Sequence, residues 1–141
     1  MSLFVVDASV AIKWFLPENH SDAALRLLAQ QHTLYAPDLI FSEFSNVLWK
    51  RVRKNEISKS EADSILEGLL ALHLQVQPSQ PLIPLALDIA CRLNCTVYDS
   101  LYLAGAIVLS SLLVTADAKF YRALSKSFLS AQLLWVEDIP Q

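Results

Sequence analysis

Residues 112–120 read LLVTADAKF, an apolar run from Leu112 to Thr115 followed almost at once by Asp117. A short run of this kind, ending in β-branched Val114 and Thr115, suits a strand covered by helices on both faces. The start of the chain has the same form, with LFVV at 3–6 running into Asp7. In open parallel sheets the ligand crevice lies beyond the carboxyl ends of the strands, where the strand order reverses. If these two strands are neighbours at that point, their acids meet.

Working outward, short β-branched runs alternate with helical patterns, without internal repeats or low-complexity linkers, which predicts an α/β fold with a parallel sheet. Strands are expected at Leu3 to Val6, Thr33 to Ala36, Leu74 to Gln77, Leu112 to Thr115 and Leu133 to Val136. A short helix from Ser9 is stopped by Pro17, and a second starts at Ser21 or Asp22, both good N-caps. Pro37-Asp38 opens a third along the stripe Ile40, Phe44, Val47, Leu48 and Val52. Ser58 and Glu61 have capping-box spacing for a fourth, reaching about Ala71. Pro81 and Pro84 precede a fifth that ends near Asn94. Asp99 opens a sixth through Leu103 and Ala106 to Val108, and a short seventh lies around Phe120 to Leu124.

The 141 residues suit one domain, 1–141. The hydrophobic fraction of 54% exceeds the ~45–50% usual for soluble domains. With Trp14, Phe15 and Trp49 near polar helix faces, it points to an interface with another subunit or partner. Asp7 and Lys13 interrupt the opening apolar segment, so no export signal is visible. The uncharged run Ser100 to Ala116 is shorter than the ~20 residues of a spanning helix and reads as a buried helix leading into a buried strand. Cys91 and Cys95, four apart in a helical pattern, are poorly placed for a disulfide and form half of any zinc set, so they are expected to be reduced packing residues in a cytoplasmic protein. His20, His32 and His73 are scattered. The two glycines, Gly68 and Gly105, both lie in helical patterns, which excludes a phosphate-cradling glycine loop.

Two further acids belong with Asp7 and Asp117. Glu43 lies three residues after Ile40 and four before Val47, along the edge of its helix's apolar stripe. Asp99 stands in the first turn of its helix, where a negative charge is favoured for structural reasons as well. A carboxylate beside an apolar core costs several kcal/mol unless it is paired, and few basic residues are near. Oxygen ligands without sulfur or imidazole suit a hard cation such as Mg²⁺ or Mn²⁺. In two-metal phosphodiester hydrolysis such ions activate water and stabilise the leaving oxygen.

The segments VVDASV, FSEFSNVL, TVYDSLYLA and LLVTADAKF resemble, in order and over nearly the whole chain, the four acidic motifs of PIN-domain ribonucleases. The short length and the YDSLYLA and TAD patterns are most similar to VapC-type toxins of toxin–antitoxin modules. The resemblance implies a three-layer α/β/α sandwich with a central parallel five-stranded sheet of order 3-2-1-4-5. It also implies a Mg²⁺- or Mn²⁺-dependent endoribonuclease with Asp7, Glu43, Asp99 and Asp117 as its acidic, metal-binding site. An RNA substrate, a cognate antitoxin lying over the acidic groove and a homodimer follow as implied partners, with no membrane. Ser9 and Thr115, each two residues from a site acid, could orient carboxylates or ligand waters, as could Asn46, one turn beyond Glu43. Capping or plain surface polarity explains those three equally well. Ser100 and Gly105 stand where the family has an alanine or other helix former, and Gly105 is expected to cost its helix up to ~1 kcal/mol.

The net charge of −3 does not contradict RNA binding. Setting the four site acids aside leaves 10 of the 14 acids against 11 basic residues. Lys50, Arg51, Arg53 and Lys54 close the helix of Glu43, and Lys119, Arg122 and Lys126 follow Asp117. Either group could contact an RNA backbone, although the first also complements a helix C-terminus. With no paired histidines to drive attack by a 2'-hydroxyl, water is the expected nucleophile, leaving 5'-phosphate and 3'-hydroxyl ends. The competing functions are a non-catalytic PIN-like module binding RNA or protein, which would be free to lose the acidic set, and a haloacid-dehalogenase-type phosphohydrolase. The latter needs a second aspartate two residues after Asp7, where this chain has Ser9.

Overall fold

Apolar strands alternating with amphipathic helices build a central parallel sheet flanked by helices, the α/β/α arrangement expected from the sequence. The computed structural model describes residues 2–140. Strands β1 (Leu3–Val6), β2 (Thr33–Pro37), β3 (Gln75–Gln77), β4 (Leu112–Thr115) and β5 (Leu133–Trp135) form a sheet in the order β3-β2-β1-β4-β5. Every pairing is parallel. The chain moves outward from β1 to β3 and then returns to place β4 against the other side of β1, with Val6 opposite Val114. The strand order therefore reverses between β1 and β4, which opens a crevice beyond their carboxyl ends.

The helices are α1 (Ala8–Ala11), α2 (Ser21–Ala29), α3 (Leu39–Arg53), α4 (Lys59–Ala71), α5 (Ile83–Leu93), α6 (Val97–Val108) and α7 (Ala118–Ser125), with short 3₁₀ turns between some of them. The capping box at Ser58 and Glu61 is formed, and Asn94 ends α5 in the left-handed region, φ 53°. Among the described residues no helix is long and apolar enough to cross a membrane. The core runs through β1 and β4 into α6, whose residues from Ser100 to Ala106 are all buried.

Several local expectations change. Pro37 is the last residue of β2, and Asp38 stands at the N-cap of α3 but makes no capping bond with its side chain. Its carboxylate instead accepts from the backbone N–H and hydroxyl of Ser79, tying the end of β2 to the turn after β3. Ser21 is the first residue of α2 rather than its cap, and its hydroxyl accepts from Glu18 N and donates to Leu16 O. Trp14 is core, 8% exposed, with Nε1 donating to Ala24 O at 2.8 Å. Phe15 packs edge-on against Phe44 at 5.8 Å, so of the three aromatics expected at the surface only Trp49 is exposed, at 53%. Gly105 has a packing reason. A Cβ there would collide with the buried side chain of Gln77, whose Nε2 donates to Gly105 O at 3.2 Å.

Candidate active site

The reversal between β1 and β4 places the ends of both strands at one cleft of about 380 Å³, lined by Asp7, Ser9, Glu43, Asn46, Lys50, Asp99, Tyr102 and Asp117 among others. All four acids singled out in the sequence therefore face the same space. None of them forms an ion pair among the described residues.

Asp7 is the most enclosed, 8% exposed. It is the N-cap of α1, where Oδ1 accepts from Val10 N at 3.2 Å. The same oxygen accepts from Ser9 Oγ at 2.5 Å, and Oδ2 accepts from Thr115 Oγ1 at 2.6 Å. Both hydroxyls are held in turn. Ser9 Oγ accepts from Ala116 N and Thr115 Oγ1 from Asp117 N, so β1 and β4 are laced together through Asp7. Burial raises the Asp7 carboxyl from 3.8 to about 6; the Ser9, Thr115 and Val10 hydrogen bonds offset part of this, and the charge of Asp117 adds to it. Asp117 is exposed and caps α7, Oδ1 accepting from Phe120 N at 3.1 Å.

The helical side is built differently. Glu43, half-buried on α3, accepts a hydrogen bond from Tyr102 Oη at 2.6 Å. Burial raises its carboxyl, the Tyr102 bond offsets part of this and the Asp99 charge adds to it. Burial, then the bond to Glu43 and the neighbouring acids, hold the Tyr102 phenol protonated far above its usual range. Asp99 does not open α6, contrary to the sequence expectation. Thr96 is the N-cap, its Oγ1 accepting from Asp99 N at 3.0 Å. Relieved of capping, Asp99 lines the cleft with its carboxyl raised by burial, an effect that Thr96 reduces and Asp117 increases.

Ser9 and Thr115 thus meet at Asp7, whereas Asn46 is exposed on the cleft wall and bonds to none of the acids. Tyr102 escaped the sequence reading because it sits in an apolar helix. Its signal was a phenol three residues after Asp99, on the same helical face. The basic residues after Glu43 divide by role. Arg51 pairs with Glu18 and Glu56, Arg53 stacks over Trp49 at 4.7 Å, and Lys50 alone of them lines the cleft.

The PIN domain family model matches residues 4–124, a span that carries all four acids. The chain belongs to the PIN-domain family. A curated member, Ribonuclease VapC3 of Pyrobaculum aerophilum, is 33% identical over 126 residues, covering 88% of this chain and 93% of that one. Two solved structures share the PIN fold. PAE2754 from Pyrobaculum aerophilum has a TM-score of 0.70 at 24% identity, over 96% of this chain and 85% of that chain. A toxin–antitoxin complex from Klebsiella pneumoniae has a TM-score of 0.58 at 13% identity, over 99% and 100%.

The donor set of this PIN cleft, carboxylate oxygens with no sulfur or imidazole among them, fits a hard divalent cation. Carboxylates raised by burial and by one another, with no basic partner, are what a bound cation would relieve. Among the described residues no three potential ligands are drawn into a preassembled cage. An open arrangement suits a hard ion that keeps several waters and shares its ligands with a substrate phosphate.

Proposed function

We propose that the chain is a Mg²⁺- or Mn²⁺-dependent endoribonuclease and the toxin of a toxin–antitoxin pair, with Asp7, Glu43, Asp99 and Asp117 as the metal-holding acids. The observation that carries this reading is the convergence of these acids, without a cationic partner, on the cleft at the β1–β4 reversal. Kinship with a VapC ribonuclease supports RNA as the substrate, and the fold shared with a toxin–antitoxin complex supports an antitoxin protein as partner. The exposed apolar side chains, including Trp49, Leu70, Leu87 and Val108, support a homodimer or a covered face. Residues 1–141 act as one domain in this reading, since β5 completes the sheet beyond the matched span.

A bound divalent ion would supply Lewis acidity toward a phosphate oxygen and an activated water. The protein's part is to fix the acids. Ser9 and Thr115 donate to the two oxygens of Asp7 and lock its rotamer, and Tyr102 keeps its proton and donates a hydrogen bond to Glu43 Oε1. Lys50 offers a positive charge at the cleft wall for the RNA backbone. No histidine lines the cleft among the described residues, so an imidazole pair is not in place to drive attack by the 2'-hydroxyl. Water attacks and the 3'-oxygen leaves, giving a 5'-phosphate on one fragment and a 3'-hydroxyl on the other.

Mass spectrometry of fragment ends after cleavage in Mg²⁺ or Mn²⁺ tests this directly. The expected result is 5'-phosphate and 3'-hydroxyl ends, abolished by EDTA. A 2',3'-cyclic phosphate as primary product, or cleavage undiminished by EDTA, overturns the mechanism.

A further inference from the structure

A smaller hollow of about 210 Å³, lined by Ala118, Tyr121, Arg122, Trp135 and Asp138, begins one residue after Asp117 of the acidic cleft. Two connections fix its position. Tyr121 lies in the first turn of α7, its N–H donating to the carbonyl of Asp117, the N-cap, at 2.9 Å. Trp135 ends β5 in register with Thr115, the residue that holds Asp7. The hollow therefore opens on the same edge of the sheet as the acids, on the β5 side.

Its contents are those of a stacking site. The Tyr121 and Trp135 rings lie 5.5 Å apart at 50°, and both are partly exposed. Trp14 spends its Nε1–H on Ala24 O, whereas Trp135 Nε1 and the Tyr121 hydroxyl have no protein partner among the described residues. Arg122 is exposed and forms no ion pair among them. The volume is below the ~300 Å³ at which small-molecule pockets begin, so it suits one planar group of a longer molecule.

We propose that this hollow is a base-binding subsite, taking the nucleobase of a nucleotide that flanks the scissile phosphodiester. The proposal rests on the ribonuclease reading above. Aromatic side chains stack on any base face, and single-stranded RNA is bound through such platforms. Arg122 can pair with the adjoining phosphate or stack on the base. Asp138 repels a phosphate and can accept from an exocyclic amino group, which cytosine carries at C4 where uracil has a carbonyl oxygen, so cytosine is favoured over uracil.

The test uses the full chain carrying Asp7→Asn to stop cleavage. It measures binding of fluorescein-labelled single-stranded RNA 12-mers, oligocytidylate and oligouridylate, and of an abasic ribose-phosphate 12-mer, by anisotropy. Oligocytidylate is expected to bind roughly 5- to 100-fold tighter than the abasic strand and tighter than oligouridylate. Tyr121→Leu or Trp135→Leu should collapse the first ratio, and Asp138→Ala the second. Should the aromatic variants fail to fold, Arg122→Ala and Asp138→Ala, both at exposed positions, decide the outcome by weakening binding and removing the base preference. RNA binding with both ratios unchanged in the pocket variants overturns the subsite alone and assigns the aromatic pair to packing or protein contact. Failure of any 12-mer to bind, together with no cleavage of RNA by the wild-type chain in Mn²⁺, overturns the ribonuclease reading and the subsite with it.

Discussion

On the sheet side of the cleft, Asp7 is enclosed and holds three hydrogen bonds, from Ser9, Thr115 and Val10. On the helix side, Glu43 is half-exposed and accepts a single side-chain hydrogen bond, from Tyr102. Both carboxyls are raised by burial, but they differ in what fixes them. Asp7 is locked by the lacing of two strands, each already fixed by sheet pairing. Glu43 depends on one phenol from another helix, so its wall is the easier one to loosen. Asp117 and Asp99 link the two sides, since Asp7 and Asp99 both feel the charge of Asp117 and Glu43 feels that of Asp99.

The largest effect should come from breaking the locked side. Asp7→Asn is expected to lower kcat/KM on RNA by about 10²–10³-fold, the scale of losing one preorganised electrostatic group, while leaving the fold intact by circular dichroism. Near-wild-type cleavage would mean that Asp7 is structural.

The pH dependence of stability follows from the same burial. A carboxyl raised in the folded state from 3.8 to about 6 contributes stability that is fully present below about pH 3.8 and lost as pH rises through about 6. A shift of this size corresponds to about 3 kcal/mol. Glu43 and Asp99 are raised in the same direction. Thermal melts in EDTA should therefore show Tm falling between pH 4 and pH 7, with the slope flattened by Asp7→Asn, or by millimolar Mn²⁺ in place of EDTA. A Tm that rises across that window would contradict the burial of an unpaired Asp7.

Tyr102→Phe probes the looser side. It should reduce kcat/KM on the order of tenfold, as expected for a lost hydrogen bond to a charged group, and weaken Mn²⁺ binding measured by calorimetry. The loss of Mn²⁺ affinity should vanish when Glu43→Gln is already present. A smaller effect is expected from Thr115→Val, which leaves Asp7 two donors and should cost about 1 kcal/mol in denaturant unfolding. Combined with Tyr102→Phe it should be additive within ~0.5 kcal/mol. Clear non-additivity would show that the two walls are coupled.

Much of this was legible in the chain. Strands β1 and β4 have the residue bounds expected of them, because both are short, apolar and sharply ended by an acid. The four acids stood out for the same reason, as charges where the local pattern calls for apolar or neutral residues. Trp14 misled because a tryptophan beside polar residues looks exposed until its indole finds a carbonyl ten positions away. Gly105 reads as a weak point in its helix, but the side chain of Gln77 packs where a Cβ would stand.

What the sequence determined by itself was local: period-two and period-3.6 patterning, cap spacing at Ser58 and Glu61, and the positions of acids that such patterning cannot explain. The tertiary structure decided which of those features meet. Tyr102 and Glu43 are 59 residues apart, and Thr115 and Asp7 are 108. Strand order, and with it the cleft at the β1–β4 reversal, depends on how separate elements pack rather than on any one segment's periodicity. Capping was divided in the same way, since Thr96 took the N-cap of α6 and left Asp99 to the cleft. Backbone patterning acts over a few residues, whereas the pairing of a buried polar group is settled by whatever donor packing brings within about 3 Å.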